Sequence, residues 1–423
     1  MTTARRSIRQ LRWPAATSAV VALALVVTGC GSSADTADTT ISASSSASSS
    51  STSSSSTGST GSSSEVASLA EAFAATLTDE QLESLNQEYT FENASNWSNF
   101  PNALVAGGPG AGGMGGTPPS GDASGVPTGE TPDGEMPTGT PPSGGMAGGG
   151  SSSTGRIGLQ TDSLSDEQWT ALKALLRAAT GSGEDEGFDE ILQHLAADDY
   201  LGENGGGDEY GRGNFFIAFL GEPSDSGTWE LQFGGHHLAV SNTYVDGALA
   251  GATPSFRGIE PFTTVEVDGE TVEPEQQEAA AFAALLASLD PDQLAAAQLE
   301  GSYNDILLGP GEDWAFPETA EGLAVSELTD DQKQLLLTAI GTYVGDVDDE
   351  SAAEILATYE SQLDETYLSW AGTTSMTEIG DYVRVDGPQV WIELSQQHGI
   401  VLDGAHPHAV WRDKLTDYAG LTS

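Results

Sequence analysis

Leu77-Thr78-Asp79-Glu80-Gln81-Leu82 returns 212 positions later as Leu289-Asp290-Pro291-Asp292-Gln293-Leu294. Phe100-Pro101, just after Trp97, has a counterpart in Phe316-Pro317 after Trp314, at an offset of 216. Leu164-Ser165-Asp166-Glu167-Gln168 matches Leu328-Thr329-Asp330-Asp331-Gln332 at an offset of only 164. The offset falls across residues 104–150, which contain 17 Gly and 8 Pro. Such a tract cannot bury enough apolar surface to offset the entropy of ordering it. Residues 104–154 are therefore expected to be a disordered insertion in the first of two copies.

Each copy reads as helices followed by strands. The acid-Gln segments look like helix starts, with Ser165 or Thr329 as N-cap and carboxylates in the first turn, where the helix dipole favours them. Trp169, Leu172, Leu175 and Leu176 then share one helical face, as do Leu335, Leu336 and Ile340. Asn214–Leu220 and Thr228–Phe233 read as strands of the first copy, and Tyr367–Trp370, Tyr382–Val385 and Val390–Leu394 as strands of the second. The expected fold is α+β with two related halves, 65–270 and 271–423, each helices followed by antiparallel strands. Trp391 lies 162 residues after Trp229, the spacing that also separates His398 from His236, so the symmetry pairs the two tryptophans.

The 423 residues include 63 acidic and 13 basic side chains, a formal net charge of −50. A surface this anionic repels phosphate backbones and anionic lipid, which argues against nucleic-acid binding and basic-patch membrane attachment. One cysteine excludes an intramolecular disulfide framework and Cys-based zinc or iron–sulfur sites. Arg5, Arg6, Arg9 and Arg12 precede the apolar run Ala19–Val27, too short to span a bilayer comfortably and typical of a secretory signal. Val27-Thr28-Gly29-Cys30 resembles a bacterial lipobox. Residues 1–29 are then a lipoprotein signal peptide, Cys30 carries the acyl chains, palmitate among them, and the Ser-rich segment 30–64 is a tether to the membrane outside the cytoplasm. The other reading is an ordinary signal peptide with an incidental cysteine.

Five of the six histidines fall in two short segments, Gly234-Gly235-His236-His237-Leu238 and His398 with Gly404-Ala405-His406-Pro407-His408. The sixth, His194, lies in a helical stretch and reads as a helix-surface or core-edge residue. Residues two apart on a strand point the same way, so His406 and His408 can chelate one ion. Adjacent His236 and His237 point oppositely, so one joins easily and the other packs or hydrogen-bonds. Glu393 could add a carboxylate, giving a histidine-carboxylate set with an open coordination position, as a catalytic metal requires. Arg412 and Asp413 would then act behind the ligands, where a carboxylate orients imidazole, or simply pair with each other. The alternative is polar strand ends whose imidazoles bond backbone carbonyls. The acidic runs Glu184–Glu186 and Asp346–Glu350 lack EF-hand spacing and read as solvated loops.

Trp229–Val240, with its Gly-Gly-His-His-Leu core, and the following Thr253-Pro254-Ser255-Phe256-Arg257-Gly258 resemble the signature of the domain-of-unknown-function family numbered 3500. His406-Pro407-His408-Ala409-Val410-Trp411-Arg412-Asp413 is similar to that family's C-terminal motif. The resemblance covers most of 65–420 outside the Gly/Pro tract and implies an architecture and a site, without a reaction. The sequence thus points to a surface-tethered lipoprotein holding a divalent transition metal (zinc, copper, iron or manganese). Its function would be that of an extracytoplasmic metalloenzyme, hydrolytic or oxidative, acting on a small molecule. A non-catalytic metal- or solute-binding lipoprotein is the alternative.

Overall fold

The computed structural model describes residues 60–102, 155–267 and 269–422; Cys30, the signal and most of the Ser-rich segment, and the Gly/Pro tract at 103–154 lie outside the described residues. The helices described are α1 (Thr60–Ala74), α2 (Asp79–Leu85), α3 (Phe91–Ala94), α4 (Asp166–Ala179), α5 (Gly187–Leu201), α6 (Gln276–Ser288), α7 (Pro291–Ala297), α8 (Asp330–Val344) and α9 (Asp349–Ser361). The strands are β1 (Asn86–Gln87), β2 (Leu159–Gln160), β3 (Phe216–Leu220), β4 (Thr228–Gly235), β5 (Leu238–Val245), β6 (Ala248–Gly251) and β7 (Ser255–Gly258), then β8 (Val265–Val267), β9 (Glu270–Val272), β10 (Leu323–Ala324), β11 (Tyr367–Ala371), β12 (Tyr382–Asp386), β13 (Val390–His398) and β14 (Ala405–Asp413). The chain is α+β, and among the described residues no helix is long and apolar enough to cross a membrane.

Four helices start in the same way. Thr78, Ser165, Asp290 and Thr329 cap α2, α4, α7 and α8, each in a reciprocal capping box with the glutamine three residues on. Those glutamines then pair across helices. Gln168 Nε2 donates to Thr76 O and Gln81 Oε1, both at 2.9 Å, and Gln81 Nε2 donates to Ser163 O at 3.0 Å. In the second half Gln332 Nε2 donates to Ser288 O and Gln293 Oε1, both at 2.8 Å, and Gln293 Nε2 donates to Glu327 O at 3.2 Å. Each bond of the first half therefore recurs in the second, at the offsets read from the sequence.

The sheet carries the repeat further. Its order is β1-β3-β4-β5-β7-β14-β13-β12-β11-β10, with β2 on β3 and β6 on β5. Asn86 runs parallel beside Phe219 as Gln298 runs parallel beside Trp370, so β3 corresponds to β11 and the neighbouring β4 to β12. Trp391, however, lies on β13, the counterpart of β5. The sequence pairing of Trp229 with Trp391 is thus overturned: loops of unequal length between strands shift the offset, and two core tryptophans on different strands fall at a coincidental spacing.

Helices pack on one face of the sheet in two apolar clusters. One gathers α1, α4 and α5 with Phe219, Trp229 and Leu231, and the other gathers α6 and α8 with Val383, Ile392 and Trp411. The opposite face is covered by loops that supply Trp97 and Ile306 over Ala218, Phe256 and Val410. The halves join where β7 pairs antiparallel with β5 on one side and β14 on the other. Replacing Gln332 or Gln168 by Leu leaves the partner amide and a helix-end carbonyl without their bonds. Each substitution is expected to cost about 1–3 kcal/mol in urea unfolding, and a change within error at either position would show that the repeated amide pairs do not organise the halves.

Candidate metal centre

His236 and His237 form the two-residue connection between β4 and β5, closed by the Gly235–Leu238 pair. His237 takes a left-handed φ of 62°, uncommon for a residue with a Cβ and frequent where a site imposes the backbone. Its N–H donates to Asn99 O at 3.3 Å and its carbonyl accepts from Gly258 N at 2.8 Å, which ties the turn to β7. On β14, His406, His408 and Val410 alternate onto the loop-covered face, while Ala409 and Trp411 enter the helix-side core. His408 lies opposite Gly258 in the register.

Gly258 is what lets the two histidine segments meet. A Cβ at this position would stand 2.9 Å from Pro407 O, 3.0 Å from His408 Cδ2 and 3.2 Å from His237 Cδ2. His237 Nε2 and His406 Nε2 come within 2.8 Å, and the three ligand atoms of His237, His406 and His408 all lie within 4.8 Å of one another. The three residues are only 5%, 1% and 4% exposed, and His408 Nε2 is buried with no protein partner.

Carboxylates stand behind the imidazoles. His408 Nδ1 is 3.0 Å from Asp305 Oδ1 and also touches the Gln397 amide, while His406 Nδ1 is 3.9 Å from Glu260 Oε2. Glu260 is held in turn by the Val401 and Leu402 N–H groups at 2.7 and 2.6 Å. Burial, with the neighbouring imidazoles second, holds His237 well below the ordinary imidazole range and pushes His406 down to about 2. Both rings are therefore neutral at physiological pH and have lone pairs for a cation. Three buried imidazoles with carboxylate support can serve as the donor set of a transition metal that keeps one position open.

His236 turns away from this group. Its Nδ1 is 2.6 Å from Asp198 Oδ1 on α5, its ring centroid is 3.5 Å from that of His237, and Tyr210 meets it edge-on at 4.8 Å. Glu393 does not join the histidines. Opposite residues in the register place it beside Val410, two positions beyond His408, and four donors engage its carboxylate: Leu307 N, Leu308 N, Tyr382 Oη and Trp391 Nε1. Arg412 and Asp413 do not stand behind the ligands either. Arg412 pairs with Asp417 at 2.7 Å and Asp313 at 2.8 Å, and Asp413 accepts from Tyr359 Oη at 2.9 Å, at the far end of β14 roughly 13 Å along the strand from His408. His398 is exposed, with Nδ1 2.7 Å from Gly399 O.

The structure adds residues that local pattern does not mark. Asn99 touches both histidine segments, its Nδ2 lying 3.5 Å from His408 Nδ1. Arg156 is half-buried and donates to Ser98 O, Phe100 O and Gly235 O at 2.6–2.7 Å, clamping the Asn99 segment to the histidine turn. Gly258→Ala should cost about 1–3 kcal/mol by overpacking and weaken metal uptake. Wild-type stability together with wild-type uptake would show that the close approach at Gly258 is dispensable.

A family model described as "Protein of unknown function (DUF3500)" matches residues 151–420, and no curated protein and no solved structure matches the chain. The matched span includes β4, β5, β7 and β14, the four strands that assemble the histidine group. With well over half its length inside that match, the chain belongs to the DUF3500 family.

Proposed function

We propose that the protein is an extracytoplasmic metal-dependent hydrolase, anchored to the membrane through lipidated Cys30, in which His237, His406 and His408 hold a divalent transition metal of the zinc class. The observation that carries this reading is the convergence of three buried imidazoles from segments 169 residues apart, two of their nitrogens 2.8 Å from each other. A divalent ion in such a set supplies Lewis-acid activation of a water or carbonyl oxygen at its open position.

The chain's own residues support hydrolysis over oxidation. His236, oriented by Asp198 and stacked beside His237, is placed to accept a proton next to the centre. Tyr210 links that pair to a groove of about 630 Å³ bordered by Asp199, Glu203, Asp208, Arg212 and Glu266. Four carboxylates against one guanidinium favour neutral or cationic substrates over anionic ones. A second reading, a closed metal-binding site without catalysis, draws on the near-complete burial of the three ligands.

Metal analysis of the purified chain tests the site. His406→Ala and His408→Ala should each lose one equivalent of metal relative to wild type while keeping cooperative unfolding; unchanged content in both would refute the ligand assignment. Hydrolysis of the neutral ester p-nitrophenyl acetate that is lost on chelation and restored by Zn²⁺ supports the enzyme. Bound metal without such turnover favours the closed site. Cys30→Ser should move the protein from the membrane to the soluble fraction of a bacterial host that lipidates such cysteines, and retention on membranes would contradict anchoring through this residue.

A further inference from the structure

Behind the sheet, on its helix-covered face, lies a second group of inward-facing ligands. α5 presents Glu190, His194 and Asp198 at intervals of four, one stripe of the helix. Asp198 orients His236; the other two meet Glu275, which precedes α6, and the ligand atoms of Glu190, His194 and Glu275 all lie within 4.8 Å of one another.

His194, expected at the helix surface or core edge, is 2% exposed. Its Nδ1 is 3.0 Å from Glu190 O, a bond that requires the proton on Nδ1 and leaves the lone pair on Nε2. That Nε2 is buried without a hydrogen-bond partner, 3.7 Å from Glu275 Oε1. Glu275 is 1% exposed, and neither of its oxygens has a hydrogen-bond partner. It is held inward by a left-handed backbone, φ 65°, at a helix start that it does not cap. Glu278 Oε1, one turn into α6, is likewise unpartnered.

The cation facing this group is Arg257, whose Nε lies 2.8 Å from Glu190 Oε2 and whose guanidinium also pairs with Asp346. The acidic runs read as solvated loops thus send Glu186 and Asp346 inward, Asp346 also accepting from Gly187 N at 2.6 Å. Glu186 Oε2, both oxygens of Glu275 and Glu278 Oε1 are buried without hydrogen-bond partners. One guanidinium does not balance these carboxylates, and buried charge left unpaired is strongly unfavourable. A cavity of about 220 Å³ bordered by Asp185, Glu190, Gln193 and Glu275 opens beside the group and gives a path to it.

We infer that Glu190, His194 and Glu275 form a second metal site, independent of the three-histidine centre, that takes a divalent cation of the manganese or ferrous class. One imidazole nitrogen with two carboxylates is a harder donor set than three imidazoles, so the two sites sort metals by ligand type. Glu278 is the neighbouring carboxylate that can complete the coordination.

The test uses the full chain, stripped with chelator and titrated with Mn²⁺ alone, followed by electron paramagnetic resonance of free Mn²⁺ and by thermal unfolding. Wild type should bind Mn²⁺ and rise in Tm. Glu275→Gln, which keeps the volume and removes the charge, and His194→Gln should each lose that equivalent and the Tm rise, while Zn²⁺ uptake at the other centre persists. His406→Ala should show the converse, so that failure of either site is read separately. Mn²⁺ binding by Glu275→Gln equal to wild type would overturn the proposal, as would absence of Mn²⁺ binding by wild type. Should His194→Gln fail to fold, Glu275→Gln alone decides.

Discussion

The antiparallel pairing of β7 with both β5 and β14 is the constraint on which the candidate centre depends. This four-residue strand is the only hydrogen-bonded path by which the described main sheet passes from one half to the other. Phe256 packs toward the loop-covered face and Arg257 toward the helices, so one short strand touches both candidate metal groups. Gly258 ends it without a side chain where the His237 turn and His408 close in. Related halves meeting along equivalent edges place together residues that no local pattern could join.

Helix starts were readable because a capping box is local: a side chain reaches the backbone three residues away, and Ser165 with Gln168 specifies its own geometry wherever it occurs. The alternation of His406 and His408 was readable for the same reason, since period two fixes which side chains share a face. Face is not position, however. Glu393 lies on the correct face of β13 but belongs to a different layer of contacts, where loop amides at Leu307 and Leu308 and the Tyr382 hydroxyl satisfy it. Asn99, Asp198, Glu260 and Asp305 come from loops and from a helix, and only tertiary packing brings them to the imidazoles. His194 carried a weak signal, the Glu190-His194-Asp198 interval of four on an amphipathic helix, which reads equally well as an ordinary core-edge face.

Charge distinguishes the two faces of the sheet. A chain with 63 acids and 13 bases gains solubility from its exposed carboxylates, but the ones turned inward need specific partners. On the loop side those partners are imidazoles, Asp305 behind His408 and Glu260 behind His406, while Asp198 reaches from α5 to orient the His236 ring. On the helix side Arg257 serves Glu190 and Asp346 and leaves Glu275 and Glu278 oxygens without hydrogen-bond donors. Two inward groups of different donor softness in one sheet follow from this distribution of acids.

The most direct measurement of the central claim is anomalous diffraction from crystals of the zinc-loaded full chain, recorded on both sides of the zinc absorption edge. An anomalous peak is expected between β7 and the His237 turn, about 2.0–2.1 Å from nitrogens of His237, His406 and His408. Anomalous signal confined to surface carboxylates, with the three imidazoles bonded only to one another and to protein oxygens, would contradict it.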